Sequence, residues 1–363
     1  MLSVIVPAYN AADTLDRCLQ ALLNQTAARD SYEIIVVDDG SLDGTADVAA
    51  RYRAQGVQVI RQPNQGPAGA RNSGAQRASP ASDLLLFTDS DCAPLPDWIA
   101  NLSAPFSDCE AMGAKGVYQT DQPSPVARFV QIEYESRYDR MRGQERIDFI
   151  DTYSAAYRRD LFLQNGGFDV SLRYLEDQEF SFRLAEKGYK LVFAPQARVY
   201  HRHDRDVLEY FERKFKIGVW KARITQRYPE RIANDSHTPP TLKLQIVLLL
   251  LLAPLWLAGL LAWSQAWSPW WQMLLGAGLL AGLPIVASAL PFLVSAWRKD
   301  PAVALIAPAM LIGGRVKEPR PFLAFAGGMM MAVVFFDMLI ESAEVGSVWT
   351  MCAGTVAGGV FFA

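Results

Sequence analysis

Cysteine and histidine are scarce in this 363-residue sequence: there are four cysteines (Cys18, Cys92, Cys109, Cys352) and three histidines. The cysteines show no CxxC spacing, which excludes a disulfide scaffold and a zinc knuckle and fits a reducing compartment. No G-x-G-x-x-G follows the first apolar run, where Pro7-Ala8-Tyr9-Asn10 stands, and G-x-x-x-x-G-K-[ST] occurs nowhere. Rossmann dinucleotide binding and a phosphate-cradling P-loop are therefore out. Basic charge is not in excess: the net charge is -3 and the pI about 5.7, so attraction to nucleic acid through global charge is excluded. The first residues, Met1–Pro7, lack a basic n-region and a long apolar core, so no signal peptide is read there. Charge itself is missing from one end. Of the 35 basic and 38 acidic residues, only 11 lie in 242–363.

That asymmetry divides the chain into a soluble-type front and a membrane-type back. In the front, short apolar runs alternate with helical patterns. Strands are expected at Leu2–Val6, Glu33–Val37, Val57–Ile60 and Leu84–Thr88. Between them lie an amphipathic helix through Leu15, Leu19, Leu22 and Leu23, a helix near Thr45–Tyr52, and a Gly-opened helix at Gly66–Arg77. This alternation predicts a doubly wound, mostly parallel α/β sheet covered by helices on both faces. Ligands in such sheets sit beyond the carboxyl ends of the strands. Further helices are expected around Phe129–Arg142 and at Glu179–Lys187, with a strand at Leu191–Ala194.

From Val207 to Tyr228 a helical pattern sets apolar residues against Arg213, Lys214, Lys216, Lys221, Arg223 and Arg227. Two readings stand: a helix lying on an anionic membrane surface, or a surface helix docked on its own domain. Three regions follow: a catalytic domain over 1–205, an interfacial helix and linker over 206–241, and a transmembrane helical region over 242–363. Spans are expected at 244–263, 271–297, 322–340 and 346–363, with 301–314 re-entrant or interfacial. Arg298, Lys299, Arg315, Lys317 and Arg320 cluster between the second and third spans. By the positive-inside rule the front is then cytoplasmic, on a multi-pass protein of the plasma (inner) membrane.

Two acidic clusters end two of the expected strands: Asp38-Asp39-Gly40-Ser41, and Asp89-Ser90-Asp91. On extended chain residues i and i+2 point one way, so Asp89 and Asp91 would present two carboxylates together. Such a pair calls for a hard divalent ion with oxygen ligands, Mg²⁺ or Mn²⁺; an ordinary acidic cap of the following helix is the plain alternative. Asn64–Asn72 supplies a Gly-flanked helix start and Arg71, donors suited to phosphate oxygens.

These segments, SVIVPAYN (3–10), VVDDGSLDGT (36–45), NQGPAGARNSG (64–74), FTDSD (87–91) and the run from Gly166 to His203, together resemble glycosyltransferase family 2. The resemblance implies a GT-A fold and an inverting enzyme with a nucleotide-sugar donor. It further implies that Pro7, Ala8, Tyr9 and Asp39 hold the nucleoside base and that Arg71 reaches the base or the diphosphate. Asp89 would sit by ribose and metal, Asp91 would ligate the metal, and Asp177 would be the catalytic base. Glu176 would orient the acceptor or tune its neighbour. His201, beside Arg202 and His203, is either a metal or diphosphate ligand or a plain surface histidine. Asp151-Thr152 and Arg158-Arg159 are expected on the acceptor side, and Tyr134 and Tyr138 in the core.

The expected activity is transfer of one sugar, from a UDP-sugar first among candidate donors, to a hydroxyl of a membrane-associated acceptor: a lipid-linked saccharide, a glycolipid or a lipid alcohol. The Q-x-x-R-W of processive synthases is absent from 212–220, which disfavours a polymer-secreting enzyme. A phosphate acceptor would need no base, so Glu176-Asp177 argues against a polyprenyl-phosphate transferase; a catalytically dead membrane scaffold is the remaining alternative.

Overall fold

The computed structural model describes residues 1–232, 287 and 289–303. In chain order its elements are β1 (Leu2–Ala8), α1 (Leu15–Leu23), β2 (Tyr32–Asp38), α2 (Thr45–Ala50), β3 (Val57–Arg61), α3 (Gly66–Arg77), β4 (Leu84–Phe87) and β5 (Cys92–Pro94). Next come α4 (Trp98–Ser103), β6 (Ala111–Gln119), α5 (Pro125–Met141), β7 (Ala155–Arg158), α6 (Arg159–Gln164), α7 (Glu176–Glu186), β8 (Lys190–His201) and α8 (Val207–Arg227).

The chain divides into two compact units. The first contains Met1–Pro123 and Glu133–His203. Among the described residues its strands form one sheet in the order β3-β2-β1-β4-β7-β6-β8-β5. The near-continuous apolar runs of β1, β2 and β4 have a simple cause: alternate residues go to opposite faces, and both faces are covered. Val4, Val6, Ile34, Val36 and Leu86 pack with α1 and Trp98 on one face. Ile5, Ile35, Val37, Leu85 and Phe87 pack with α3, Phe162 and Phe180 on the other.

The sheet is mostly parallel, as expected, with β6 and β8 running with the first four strands, but two strands are reversed. β3, β2, β1 and β4 run parallel, but β7 enters antiparallel between β4 and β6, and β5 pairs antiparallel with β8. The register Leu84↔Arg158 to Phe87↔Ala155 puts Arg158 at the amino end of β4. Arg158 there donates to the carbonyls of Ala111 and Phe106, and Arg159 N–H to that of Asp83. Arg158-Arg159 therefore sit on the rim opposite the acidic strand tips, not on an acceptor side. Tyr138 is buried and shares a 2.7 Å hydrogen bond with Tyr153, as a core tyrosine does; Tyr134 packs partly buried beside it.

In the second unit, Asp206 caps α8 by accepting from Leu208 N and Glu209 N at 2.9 and 3.0 Å. Arg213 reaches back to Asp204 at 2.6 Å, and Tyr210, Phe211 and Ile224 form the buried stripe while Leu208 is exposed. Among the described residues no helix is long and apolar enough to cross a membrane. The expected spans 244–263, 322–340 and 346–363 lie outside the described residues, as do 271–286 of the second span and 304–314 of the re-entrant segment; 289–299 is helical.

Candidate functional site

The parallel strands β2, β1 and β4 end side by side, so Asp38, Ala8 and the segment after Phe87 share one rim. Pro7 and Ala8 close β1, and Tyr9 stands beyond it, half exposed at 50%. Asp39 is 2% exposed. Its Oδ1 accepts from Gln65 N and Gln62 Nε2, and its Oδ2 from Gly66 N, at 2.8 to 2.9 Å. A carboxylate at the first amides of α3 gains from unpaired N–H groups and from the helix dipole. Gly40 makes the approach possible: its φ is +78°, and a Cβ there would lie 2.9 Å from Asn64 N. The acidic strand tip thus anchors the start of α3.

Arg71 lies on the inner side of α3 and is 5% exposed. One guanidinium nitrogen donates to Glu176 Oε1 at 2.5 Å and the other to Asp89 Oδ1 at 2.6 Å. Burial alone would disfavour its charge, and the two carboxylates hold it charged. On the next position of α3, Asn72 exchanges two hydrogen bonds with the backbone of Phe168, at 2.7 and 2.9 Å. Gly167, with φ +65°, fits beneath because a Cβ would lie 2.5 Å from Asn72 Oδ1. This clamp delivers the chain to α7.

α7 begins at Glu176, not at Glu179 as the periodicity suggested, so Glu176 and Asp177 occupy its first turn. Leu175 before it is left-handed at φ +64°, a rare conformation for a branched side chain and a local strain. Asp177 Oδ1 accepts from Gln178 N at 2.8 Å, and Thr152 N–H points to its Oδ2 at 3.4 Å. Burial, then the charges of Glu176 and Asp151, push the Asp177 carboxyl well above the usual carboxylate range, against the pull of Arg71.

The Asp89-Ser90-Asp91 segment is a turn, closed by Cys92 N–H to Asp89 O at 3.0 Å, not extended chain. The alternation argument for two parallel carboxylates therefore does not describe it. Asp89 goes to Arg71, whereas Asp91 Oδ2 lies 3.3 Å from His201 Nε2. Burial opposes ionisation of Asp91, and His201 outweighs it, holding the carboxyl below its ordinary value. His201 closes β8, paired with Cys92 of β5; its Nδ1 is 3.0 Å from His203 Nδ1, and its ring stacks on Tyr118 at 4.2 Å. It is thus not a plain surface histidine.

Ligand atoms of Asp91, Cys92 and His201 lie within 4.8 Å of one another. Burial and the two nearby aspartates raise the Cys92 thiol well above its ordinary value, so it offers no thiolate. What remains is a carboxylate oxygen and an imidazole, a donor set compatible with a hard divalent ion completed by phosphate oxygens. The residues fit such a group.

Sequence reasoning missed two contacts. Lys115, 1% exposed on β6, is ion-paired with Asp151; a lone charge inside AMGAKGVYQ was the available signal. The Asn72–Phe168 clamp left no signal, because 96 residues separate its halves.

The family model described as Glycosyl transferase family 2 matches residues 3–165, and that described as Glycosyl transferase family group 2 matches residues 127–314. The chain is 28% identical over 231 residues to Glycosyltransferase AglE of Haloferax volcanii, covering 61% of this chain and 73% of that protein. It is 28% identical over 229 residues to the O-antigen chain rhamnosyltransferase RfbN of Salmonella typhimurium, covering 61% and 72%. It is similar in fold to the solved mannosyltransferase PcManGT from Pyrobaculum calidifontis in complex with GDP-Man and Mn²⁺, with TM-score 0.55 and 19% identity over 93% of this chain and 86% of that one. The two models overlap within 127–165 and together take in both the strand tips and the α7 carboxylates, and on that match the chain belongs to glycosyltransferase family 2.

Proposed function

We propose that this transferase is an inverting, divalent-cation-dependent enzyme that moves one sugar from a nucleotide-sugar, a UDP-sugar first among candidates, to a hydroxyl of a membrane-associated acceptor. The observation that carries the reading is Arg71. It ties Asp89, at the strand tips where a nucleotide would lie, to Glu176, next to the carboxyl best suited to take a proton. Donor and base ends of one displacement are then held on a single buried network.

Pro7, Ala8 and Tyr9 would line the nucleoside end of the rim, with Asp39 acting there through the start of α3 that it holds. Asp91 and His201, with Asp89 beside them, would hold Mg²⁺ or Mn²⁺, and the donation between the two Nδ1 atoms leaves His201 Nε2 free to ligate when His201 is the donor. A bound cation supplies neutralisation of the charge that builds on the departing diphosphate. Arg71, held charged beside Asp89, would add positive charge there. A hydroxyl is a poor nucleophile, and Asp177 removes its proton as it attacks the anomeric carbon from the face opposite the leaving group, which inverts that centre. A base whose proton affinity is raised toward neutrality suits the task better than an ordinary carboxylate.

Several features support a membrane-bound acceptor and a plasma-membrane, multi-pass chain with this domain cytoplasmic. They are the four charge-poor stretches of 242–363, the basic loop between them, and the basic face of α8, read as lying on the bilayer. RfbN, whose name assigns it to an O-antigen chain, supports an envelope polysaccharide or glycolipid as product. The test incubates membranes carrying the protein with a panel of nucleotide sugars and reads the lipid extract by mass spectrometry. A single added hexose-type mass is expected, and long polymer would refute the reading. Asp177→Asn should lower transfer by about 10²- to 10⁴-fold. Near-normal turnover would mean a phosphate acceptor, already anionic and in no need of a base.

A further inference from the structure

Lysine is almost never fully buried without a partner, and desolvating an ammonium costs several kcal/mol. Lys115 nonetheless sits at 1% exposure in the middle of β6, flanked by Ala155 on β7 and Phe193 on β8. Its Nζ is ion-paired with Asp151 Oδ2 and lies 4.7 Å from the ring centroid of Phe149. If filling space were the whole purpose, a methionine or leucine would serve at lower cost. The pair instead adjoins the proposed base. Asp151 opens the turn Thr152–Ser154, and the next residue's N–H is the one aimed at Asp177 Oδ2.

We propose that Lys115 and Asp151 are positioning residues for the Asp177 carboxylate: their ion pair fixes the turn that presents Thr152 N–H to it and balances the negative charge crowded around it. This rests on the reading of Asp177 as the base. The charges facing Asp177 come from every element packed about it. Glu176 lies on α7 itself, Arg71 on α3, Asp151 on the turn before β7, Lys115 on β6, and the Tyr157 phenol on β7. Two cations thus stand against three carboxylates, Asp177 itself included, with Asp89 a fourth behind Arg71 and Arg137 of α5 acting on Lys115. Removing Asp151 or Lys115 changes that balance in opposite directions, whereas a pair that does not act on Asp177 would leave its titration where it was.

The test needs no substrate. In full-length protein in detergent, the thermal midpoint of Asp177→Asn minus that of its parent is followed from pH 4 to 9. A carboxyl raised by folding destabilises the parent once ionised. The difference therefore grows as pH rises from the unfolded carboxylate value and levels off above the native one. In an Asp151→Asn background the levelling should move down by about 1 pH unit, and in a Lys115→Met background up by about the same. The double variant Lys115→Met/Asp151→Asn, which is neutral and carries no orphaned charge, should fall between them, and with Asp151→Asn it decides the matter if Lys115→Met does not fold. Levelling that stays put, or moves the same way in both single variants, overturns the proposal. Failure of the base reading is separately visible, since Asp177→Asn would then transfer sugar normally in membranes while the thermal curves still moved.

Discussion

Arg71→Met tests the central network most directly. The substitution keeps an unbranched, helix-compatible side chain on α3 and removes only the guanidinium. Two charge-assisted hydrogen bonds vanish, at 2.5 Å to Glu176 and 2.6 Å to Asp89. The two orphaned carboxylates are not equivalent. The Asp89 side chain is 28% exposed and can rehydrate, whereas that of Glu176 is 7% exposed and cannot. Breaking a buried pair by removing one partner costs about 3–5 kcal/mol, and most of it here falls on Glu176. At roughly 2–4 °C per kcal/mol for a unit of this size, the first unit's melting transition should drop by about 6–20 °C. Adding Glu176→Gln removes the stranded charge and should return more than half of the loss. The assay is thermal unfolding of the full chain in detergent, followed by circular dichroism. A single variant within about 2 °C of the parent, or a double variant no more stable than the single, would refute the assignment of Arg71 as the bridge between the strand tips and α7.

Four further outcomes are expected. The proton acceptor works only when deprotonated, and Asp177 is held above its ordinary value of 3.8. The acid limb of kcat/KM should therefore rise tenfold per pH unit and bend above the ordinary carboxylate range; a bend near pH 4 would exclude Asp177 as the base. Asp91→Ala should abolish saturable Mn²⁺ binding in an electron paramagnetic resonance titration. In the same titration His203→Ala, which removes the partner of His201 Nδ1, should weaken binding about 10–100-fold; unchanged affinity in both would remove the cation from this place. Gly74→Ala would set a Cβ 2.5 Å from Ile5 Cγ2 and 3.3 Å from Val37 Cγ2 and should destabilise by about 1–3 kcal/mol, read from the same melts.

Legibility followed the range of the forces involved. α3 begins and ends where Gly66 and Arg77 punctuate the pattern, and β1 and β2 extend only one or two residues beyond their apolar runs. Between residues 92 and 164 the helix expected around Phe129–Arg142 stands as α5, but the strands leave no local signal. β6 is glycine- and alanine-rich around a buried lysine, β7 is four residues long, and β5 three. These strands persist because neighbours pair with them, which no local propensity reports. The sequence pattern puts the start of α7 three residues late because acidic side chains favour both a loop and a helix's first turn.

Composition and periodicity alone determined the alternation of strands and helices, the acidic tips beyond two strands, and the charge-poor final third, because each is written in residues close together along the chain. Only the tertiary structure decided which group each carboxylate meets. It reversed the sheet at β7 and so sent Arg158 to the far rim. It brought Arg71 across 105 residues to Glu176 and sank Lys115 against Asp151. Ion pairs of that kind depend on topology and burial, and a one-dimensional pattern carries neither.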